Sequence, residues 1–302
     1  MASPAPAPVF DTGFHPQTGT AVAVQPGLVR ITAPNASAYT FTGTNSFLVG
    51  HEKVAIIDPG PEDASHLEAL RRAIGGREVA SIILTHTHRD HSALARTAAA
   101  AFDAPLWFGG PHRLSRPLQR WERNPIHRSG DWDLWPDRTL RDGEAIIAGD
   151  MEITVHATPG HCANHLAFGW DDMLLSGDHV MGWNSTLVSV PDGSMADYFA
   201  SLDKVIALPN RRYHPAHGGP IGDGPAHARA LKAHRERRNA QILQAVEHGA
   251  RSIGAVVKSI YPAQSLPVRM AARMTIAAHL EYLGALGLLR LRRSPFGLRI
   301  GR

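Results

Sequence analysis

The sequence predicts a layered α/β fold, and three observations support that fold class. Short apolar and β-branched runs separated by Gly, Pro, Asn and Asp fill much of the first half of the chain, as strands do. Between two of these runs, Leu67, Leu70 and Ile74 recur at helical spacing. A β-hairpin followed by a β-α-β order is typical of sheets covered by helices and not of an all-β domain.

The individual elements follow from local residue patterns. Residues 28–32 alternate, and Gly50 to Lys53 marks the turn of a hairpin. Gly75-Gly76 ends the first helix. The predicted strands are 28–32, 44–50, 54–58, 79–84, 106–108, 145–147 and 151–155, and the predicted helices are about 62–74 and 92–102.

The segment from about His112 to Asp137 has no sustained periodicity. It contains Trp121, Trp132 and Trp135 among several arginines and prolines. Irregular segments of this length are usually functional or disordered, and the aromatic content argues against disorder. We therefore expect an ordered loop that overhangs the active site, or one whose tryptophans simply fix it to the body.

The composition is that of a globular protein of 302 residues with one large domain and a small one. No stretch has enough consecutive apolar residues to span a bilayer, so no membrane partner is expected. The Pro- and Ala-rich start does not have the pattern of a signal peptide, and residues 1–20 are expected to be a disordered lead-in. The single Cys162 excludes an intramolecular disulfide and fits a reducing, cytoplasmic location.

Charge is distributed unevenly along the chain. Residues 225–302 contain 14 Lys and Arg against 3 Asp and Glu, a balance of +11, whereas the rest of the chain has a balance of −7. This asymmetry predicts a separate basic C-terminal part. Its charges either meet phosphates or an anionic substrate, or form a solubilising surface.

The most informative motif directly follows an apolar strand that ends at Leu84. It reads His-x-His-x-Asp-His over residues 86–91. Imidazole nitrogens and carboxylate oxygens bind Zn²⁺ and similar divalent ions, and a tight cluster arranges several ligands at low entropic cost. A solvated His-rich turn is the alternative, but the position after a buried strand favours a metal site.

Three later fragments have a related form, with a ligand-type residue in a turn. They place His161 in Thr-Pro-Gly-His, Asp178 in Ser-Gly-Asp and His217 in Pro-Ala-His-Gly. The glycines allow the chain to turn sharply and bring the side chain close to a metal. Each fragment alone is a weak signal, but in this order after the first motif they are strong together.

With these motifs the chain resembles the metallo-β-lactamase-fold hydrolases over roughly residues 28–221. The resemblance implies an αββα sandwich with two metals at one edge of two facing sheets. It also implies the ligands, which are His86, His88 and His161 for the first metal, Asp90, His91 and His217 for the second, and Asp178 bridging both.

The chemistry implied by this ligand set is hydrolysis with two divalent ions, expected to be Zn²⁺, with Mn²⁺ and Fe²⁺ as alternatives. Two such ions about 3.5–4 Å apart share a water, lower its pKa and hold it as a bridging hydroxide. They also polarise the carbonyl or phosphoryl oxygen of the substrate. Asp90 is the expected proton acceptor and hence the catalytic residue. Cys162 is interpreted as a packing residue. His165 either orients a ligand by a hydrogen bond or is a structural or surface residue, and His112 is interpreted as a structural or surface residue.

The C-terminal part indicates which branch of the superfamily the chain resembles. Three predicted helices over about 225–247, 252–261 and 266–286 precede a two-stranded ribbon over 287–300, which is the winged-helix arrangement. With the His-Arg-x-x-Arg run at residues 234–238, this part resembles the lactamase-beta-2-like branch of the superfamily. The expected parts are a disordered lead-in (1–20), a metallo-β-lactamase-fold catalytic domain (21–224) and a basic winged-helix-like domain (225–302).

Several functions fit these features. The first is a dinuclear zinc hydrolase of an ester, thioester or lactone-type small molecule. The alternative is a metal-dependent endonuclease that cuts single-stranded RNA, with the basic C-terminal domain on the backbone. A DNA-binding regulator fits poorly, because it has no need of seven ordered metal ligands. A redox variant with one iron is a further alternative, and a homodimer through the C-terminal domain is also expected.

Overall fold

Two mixed β-sheets form the centre of the molecule in the computed structural model, which describes residues 7–264 and 266–302, and only the backbone at 266 and 267. The strands are β1 (Ala21–Gln25), β2 (Leu28–Thr32), β3 (Asn45–Val49), β4 (Lys53–Ile57), β5 (Glu78–Ile83), β6 (Leu106–Phe108), β7 (Arg138–Thr139), β8 (Ala145–Ala148), β9 (Met151–Ala157), β10 (Leu166–Trp170), β11 (Met173–Gly177), β12 (Arg212–Pro215), β13 (Arg290–Ser294) and β14 (Gly297–Gly301). The helices are α1 (Ala64–Ile74), α2 (Arg89–Ser92), α3 (Ala95–Phe102), α4 (Met195–Ala207), α5 (Gly224–Glu247), α6 (Ile253–Ile260) and α7 (Leu266–Ala285).

The layers run helix, sheet, sheet, helix, so the predicted α/β class is confirmed. Strands β1 to β7 form one sheet in chain order, and the other has the order β12-β11-β10-β9-β8. A core containing Leu70 and Ile82 lies between the first sheet and helices α1 and α3. A second core, with Phe47 and Phe168, fills the space between the sheets. The third lies between the second sheet and helices α4 and α5.

The predicted hairpin and first helix are confirmed. Strands β3 and β4 pair antiparallel with Phe47 opposite Ile57, and β4 pairs parallel with β5 across α1. The helix begins later than predicted because the Asp63 side chain accepts a hydrogen bond from the His66 amide, a good N-cap. It ends at Gly75, whose φ of 63° lies in the left-handed region that glycine adopts without strain.

Two of the differences from the sequence prediction affect elements beside the candidate ligands. The helix predicted over 92–102 is broken into α2 and α3, because the Leu94 amide donates to the Gly60 carbonyl and not to a carbonyl within α2. The segment before His217 contains β12, a short strand that pairs parallel with β11 and was not predicted. Strand β12 has only four residues and little periodicity, which is why its pattern gave no signal.

The C-terminal part consists of α5, α6, α7 and the ribbon β13–β14, in the predicted order. Helix α5 belongs to two cores. Its first half packs Ala228 and Leu231 into the third core, while its second half packs Ile242 and Val246 against α6, α7 and the ribbon. An isolated bridge between Ser252 and Arg299 joins the start of α6 to β14.

The lead-in predicted to be disordered is described in part, since residues 1–6 lie outside the described residues. Phe10 packs against the third core, the Asp11 amide donates to the Gly182 carbonyl at 2.9 Å, and Phe14 lies under the guanidinium of Arg30. These contacts correct the prediction of disorder for this stretch. Within the described part of the chain, no helix combines the length and apolar character needed to cross a bilayer.

Candidate metal centre

The seven predicted ligand residues meet at one edge of the two sheets. His86 and His88 follow β5, and Asp90 and His91 lie on α2. The other three come from the turns after β9, β11 and β12, which carry His161, Asp178 and His217. Their ligand atoms form three overlapping groups in which all atoms lie within 4.8 Å of one another, namely His86–His88–His161, His86–His91–Asp178 and Asp90–His91–His217.

The first group presents three imidazole nitrogens to one point. His86 Nε2 lies 3.1 Å from His88 Nδ1, which lies 2.8 Å from His161 Nε2. In a tetrahedral zinc site with Zn–N distances near 2.0–2.1 Å, neighbouring ligand nitrogens are about 3.3 Å apart. The three histidines are therefore spaced nearly as ligands of one small cation would be.

The second group surrounds the carboxylate of Asp178. His217 Nε2 lies 3.3 Å from Asp178 Oδ1 and 3.2 Å from Asp90 Oδ2, and His91 Nε2 lies 3.6 Å from Asp178 Oδ1. The other oxygen of Asp178, Oδ2, lies 3.5 Å from His161 Nε2 of the first group. Asp178 thus presents one oxygen to each group, which is the arrangement of a bridging carboxylate.

The polar atoms at this point fit a divalent cation. Nε2 of His91, Nε2 of His217 and Oδ1 of Asp178 are buried and have no hydrogen-bond partner among the described residues. Buried polar atoms are nearly always partnered, so three converging orphans identify a place for a group that accepts lone pairs. Nitrogen and carboxylate ligands suit zinc and its neighbours in the first transition row.

The outward-facing nitrogen of each histidine is held by an oxygen acceptor. His88 Nε2 donates to Asp192 Oδ2 at 2.9 Å, and His91 Nδ1 donates to Asp58 Oδ2 at 3.0 Å. His161 Nδ1 donates to the Leu187 carbonyl at 2.7 Å. These bonds set the tautomer that leaves the lone pair of the inner nitrogen facing the centre, as metal-ligating histidines require.

Sequence reasoning missed Asp58 and Asp192. Asp58 ends β4 and also accepts hydrogen bonds from the Thr85 amide and hydroxyl, both at 2.7 Å, so it fixes the start of the first motif. Asp192 joins His88 to His112, whose Nε2 lies 2.9 Å from Asp192 Oδ1. These contacts give His112 a structural role, one of the two predicted for it, and connect it to His88 through Asp192. An Asp directly after a buried strand was the only signal for Asp58, and Asp192 had none.

Two other interpretations are confirmed. His165 Nε2 accepts a hydrogen bond from the Asp178 amide at 3.0 Å, so of its two interpretations the ligand-orienting one applies. Cys162 is buried with its thiol 3.3 Å from Asn164 Oδ1, and burial raises the pKa of that thiol well above its ordinary value. A thiol kept protonated is a packing group and not a nucleophile.

The electrostatics divide the site into two halves. Burial holds the pKa of His86 well below its ordinary value and lowers that of His161 to about 4, so these imidazoles are neutral. Burial also lowers the pKa of His217, but Asp178 and Asp90 outweigh it and raise that pKa to about 9. The half that contains the carboxylates therefore stabilises positive charge.

A cavity of about 510 Å³ opens onto the centre. Its mostly apolar walls come from Met181, Leu187 and Met274 of α7, together with residues 124–129. The irregular segment thus overhangs the site, as one of the two predictions for it required. The side chain of Asp90 is 31% exposed, compared with 9% for Asp178 and 1% for His217, so Asp90 is the more accessible of the two carboxylates.

The tryptophans of the irregular segment have different roles. Trp132 packs against the rings of His112 and His127 and donates to the His127 carbonyl, so it fixes the loop to the body. Trp121 and Trp135 are exposed. Both predictions for this loop therefore apply, since it is anchored through Trp132 and overhangs the cavity through residues 124–129.

The fold and the site together define a class of protein, an α/β sandwich with mixed sheets that carries a candidate metal centre at one sheet edge. Residues 39–217 match the family model of the Metallo-beta-lactamase superfamily, and the chain belongs to this superfamily.

Three curated relatives are similar to the chain. The lactamase-like protein adaB of Aspergillus niger is 30% identical over 228 residues, which cover 73% of this chain and 64% of that protein. The beta-lactamase-like protein 2 homolog of Drosophila melanogaster is 28% identical over 286 residues, 88% of this chain and 91% of that protein. The atrochrysone carboxyl ACP thioesterase dmxR1 of a Cryptosporiopsis species is 27% identical over 233 residues, 74% and 64% respectively. The chain thus spans just under two thirds of the fungal proteins.

Among solved structures, a beta-lactamase domain protein from Burkholderia ambifaria shares the fold along nearly the whole chain. The two superpose with a TM-score of 0.81 at 23% identity, covering 96% of this chain and 95% of that one. The superposition includes the C-terminal helices, so the shared fold extends beyond residues 39–217, which match the family model.

Proposed function

We propose that the protein is a dinuclear zinc hydrolase that acts on an ester, thioester or lactone-type small molecule. The observation that carries this proposal is the carboxylate of Asp178, which lies between His161 at 3.5 Å and His217 at 3.3 Å and lines a mostly apolar cavity of about 510 Å³. Cavities of this size suit drug-sized ligands. The name of the fungal relative, an acyl carrier protein thioesterase, supports a thioester among these substrates.

The residues that would hold the ions are those predicted from the motifs. When bound there, two divalent cations supply an activated water and polarise the oxygen of the scissile group. The first ion would be held by His86, His88 and His161, the second by Asp90, His91 and His217, and Asp178 would contact both.

The side chains of the chain itself handle the proton and the substrate. Asp90 is ionised, since His91 and His217 hold the pKa of its carboxyl well below the ordinary value against the effect of burial. Because it lines the cavity, we assign it the role of proton acceptor from the attacking water. Met181, Leu187 and Met274 bind the apolar part of the substrate and exclude bulk water.

The C-terminal part, residues 225–302, is proposed to be a winged-helix-like unit that closes the cavity. Its three helices, the β13–β14 ribbon and the bridge from Ser252 to Arg299 support that topology. Met274 of α7 supports the closing role, because it lines the cavity. Zinc as the ion, the cytoplasmic location and the homodimer stay predictions from the sequence.

Metal analysis of the purified protein together with a thioester and lactone assay tests the proposal. We expect about two zinc ions per chain and turnover of at least one ester-type substrate. Asp178→Asn should lose one or both ions and lower kcat about a hundredfold or more, because this carboxylate lies against both His161 and His217. Asp103→Asn, on the exposed C-terminus of α3, is the matched control and should change neither quantity. One iron per chain without hydrolysis would contradict the proposal.

A further inference from the structure

A second crevice adjoins the cavity at the metal centre. It has a volume of about 340 Å³ and lies between residues 183–187, helix α5 and helix α7. Tyr39, Met181 and Leu187 line both spaces. The two spaces therefore adjoin one another at these three side chains.

The α5 side of this crevice is cationic. His234, Arg235 and Arg238, from the His-Arg-x-x-Arg run, line it from one face of the helix. Among the described residues no carboxylate lies within 4.0 Å of any of these three side chains, whereas elsewhere Arg116, Arg212 and Arg293 all pair with acidic groups. The motif noted in the sequence has no other assigned role in the site.

Arg235 is the most unusual member of this group. It is only 4% exposed, and its Nε has no hydrogen-bond partner among the described residues. Its Nη2 donates to the Thr186 carbonyl, and the guanidinium lies over the ring of Tyr198 at 5.5 Å. Burying a cation without an anion is costly, so the remaining donor capacity indicates a place for a negatively charged group.

The other two side chains extend this site. The guanidinium of Arg238 lies 4.5 Å from the ring centroid of Tyr261, which holds it in the crevice without neutralising it. Burial and the neighbouring arginines lower the pKa of His234 to about 4, so at neutral pH it serves as a neutral hydrogen-bond group. Two guanidiniums beside an imidazole suit the several oxygens and double charge of a phosphate better than a single carboxylate.

We propose that this crevice binds the phosphate group of a substrate whose scissile acyl bond lies at the metal centre. The proposal rests on the proposed function and specifies it, since it makes the substrate class a phosphorylated acyl ester or thioester. The crevice and the metal centre are connected through a single residue, Thr186. Thr186, which accepts the hydrogen bond from Arg235, also has its hydroxyl 3.4 Å from His161 Nδ1.

The experiment compares a matched pair of ligands that differ only in the phosphate. Isothermal titration calorimetry on the metal-loaded protein measures binding of S-methyl pantetheine 4′-phosphate and of S-methyl pantetheine, neither of which can be hydrolysed at sulfur. We expect the phosphorylated compound to bind about 10- to 100-fold more tightly, as charge-assisted hydrogen bonds of this kind provide. Arg238→Gln should abolish that preference, and its half-buried position makes correct folding expected. Arg229→Gln, exposed on the same helix, is the control and should retain the preference.

The outcomes separate this proposal from the proposed function. Equal binding of the two compounds to the wild-type protein would overturn the phosphate site, even if acyl pantetheine is hydrolysed. Phosphate-dependent binding without hydrolysis of any acyl derivative would support the site and contradict the proposed activity. A single-stranded RNA octamer that binds through Arg238, while the phosphorylated compound does not, would assign the crevice to a nucleic-acid backbone and overturn the proposal.

Discussion

At the scale of single residues, the buried His66 makes the stability of the fold depend on pH. It lies under the first sheet with Nε2 2.8 Å from Ser46 Oγ, and burial lowers its pKa from 6.5 to about 4. As pH falls below 6.5, His66 becomes protonated in the unfolded chain, whereas in the folded chain it stays neutral until about pH 4. The stabilisation is therefore complete above pH 6.5 and is lost between 6.5 and 4.

The expected contribution of His66 is about 3 kcal/mol between pH 7.5 and pH 4. Urea unfolding of the wild-type protein and His66→Gln at a series of pH values measures it, because the variant cannot take up the proton. The difference in unfolding free energy between the two proteins should shrink by that amount towards pH 4. A difference that stays constant would show that this histidine does not titrate as described.

Asp58, which follows β4 directly, orients His91 of the metal centre. Its carboxylate accepts hydrogen bonds from His91 and from Thr85, and its φ of 52° is a left-handed conformation that Asn also tolerates. Asp58→Asn therefore keeps the backbone but weakens the bond to the imidazole. We expect metal affinity to fall about 10- to 100-fold.

Competition with a chromophoric chelator measures this affinity. Asp63→Asn is the matched control, because Asp63 caps α1 away from the centre and should affect stability but not metal binding. Equal metal affinity in Asp58→Asn and the wild-type protein would exclude a role for this carboxylate in the site.

At the scale of elements, an ion-pair network connects the irregular segment to the C-terminal part. Glu122, with a side chain 3% exposed, pairs with Arg116 at 2.6 Å and with Arg293 of β13 at 2.8 Å. Arg116 also pairs with Glu281 of α7. This network positions residues 124–129, which line the cavity.

Glu122→Gln should destabilise the protein by about 1–3 kcal/mol, because Arg116 and Arg293 lose one of the two anions they share and keep only Glu281. Hydrogen exchange should rise in residues 116–130, and KM should rise more than kcat falls. The control is Glu144→Gln, which removes the more exposed pair with Arg138 and should cost at most about 1 kcal/mol. Equal effects of the two substitutions would contradict a positioning role for the network.

Which elements could be predicted depends on how far apart the interacting residues lie. The β3–β4 hairpin, α1 and the first motif are local patterns, and Gly160 shows that the role assigned to glycines was correct. It has a φ of 140°, and a Cβ there would meet the backbone of Tyr198. Asp192, by contrast, reaches His88 across 104 residues, and no local pattern encodes that contact.

At the scale of the whole molecule, not all of the +11 charge balance of residues 225–302 is free to bind an anionic partner. Arg293 and Arg302 are paired with glutamates, and Arg235 is buried. The charge asymmetry therefore predicted a basic C-terminal part but did not reveal that some of its charges are paired or buried. This distribution favours a small-molecule substrate over a long RNA backbone.

Salt dependence tests this preference. For an uncharged thioester, kcat/KM should change less than about twofold between 50 and 200 mM salt, since few counterions are released. RNA cleavage through 6–10 phosphate contacts would fall by about 10³–10⁵ over the same range. Robust RNA cleavage with that steep dependence, and no ester turnover, would favour the endonuclease alternative.

A truncation after Gly224 is a poor test of the C-terminal part, although the charge pattern alone suggests it. Ala228 and Leu231 of α5 are fully buried in the third core, and Met274 lines the cavity. Removing residues 225–302 would expose this core, so loss of activity would report misfolding. Point substitutions such as Arg238→Gln leave both cores intact and are the better choice.

Helix α5 has 24 residues and contributes to both the third core and the C-terminal core. At 1.5 Å per residue it is a rod about 36 Å long. Because both ends of α5 are packed into cores, we expect a displacement of its ribbon end to move the crevice wall that the helix forms beside the metal centre. The third core and the C-terminal core should accordingly unfold in one cooperative transition. A ligand bound at the ribbon end, although remote in sequence from the catalytic motifs, would then affect the site.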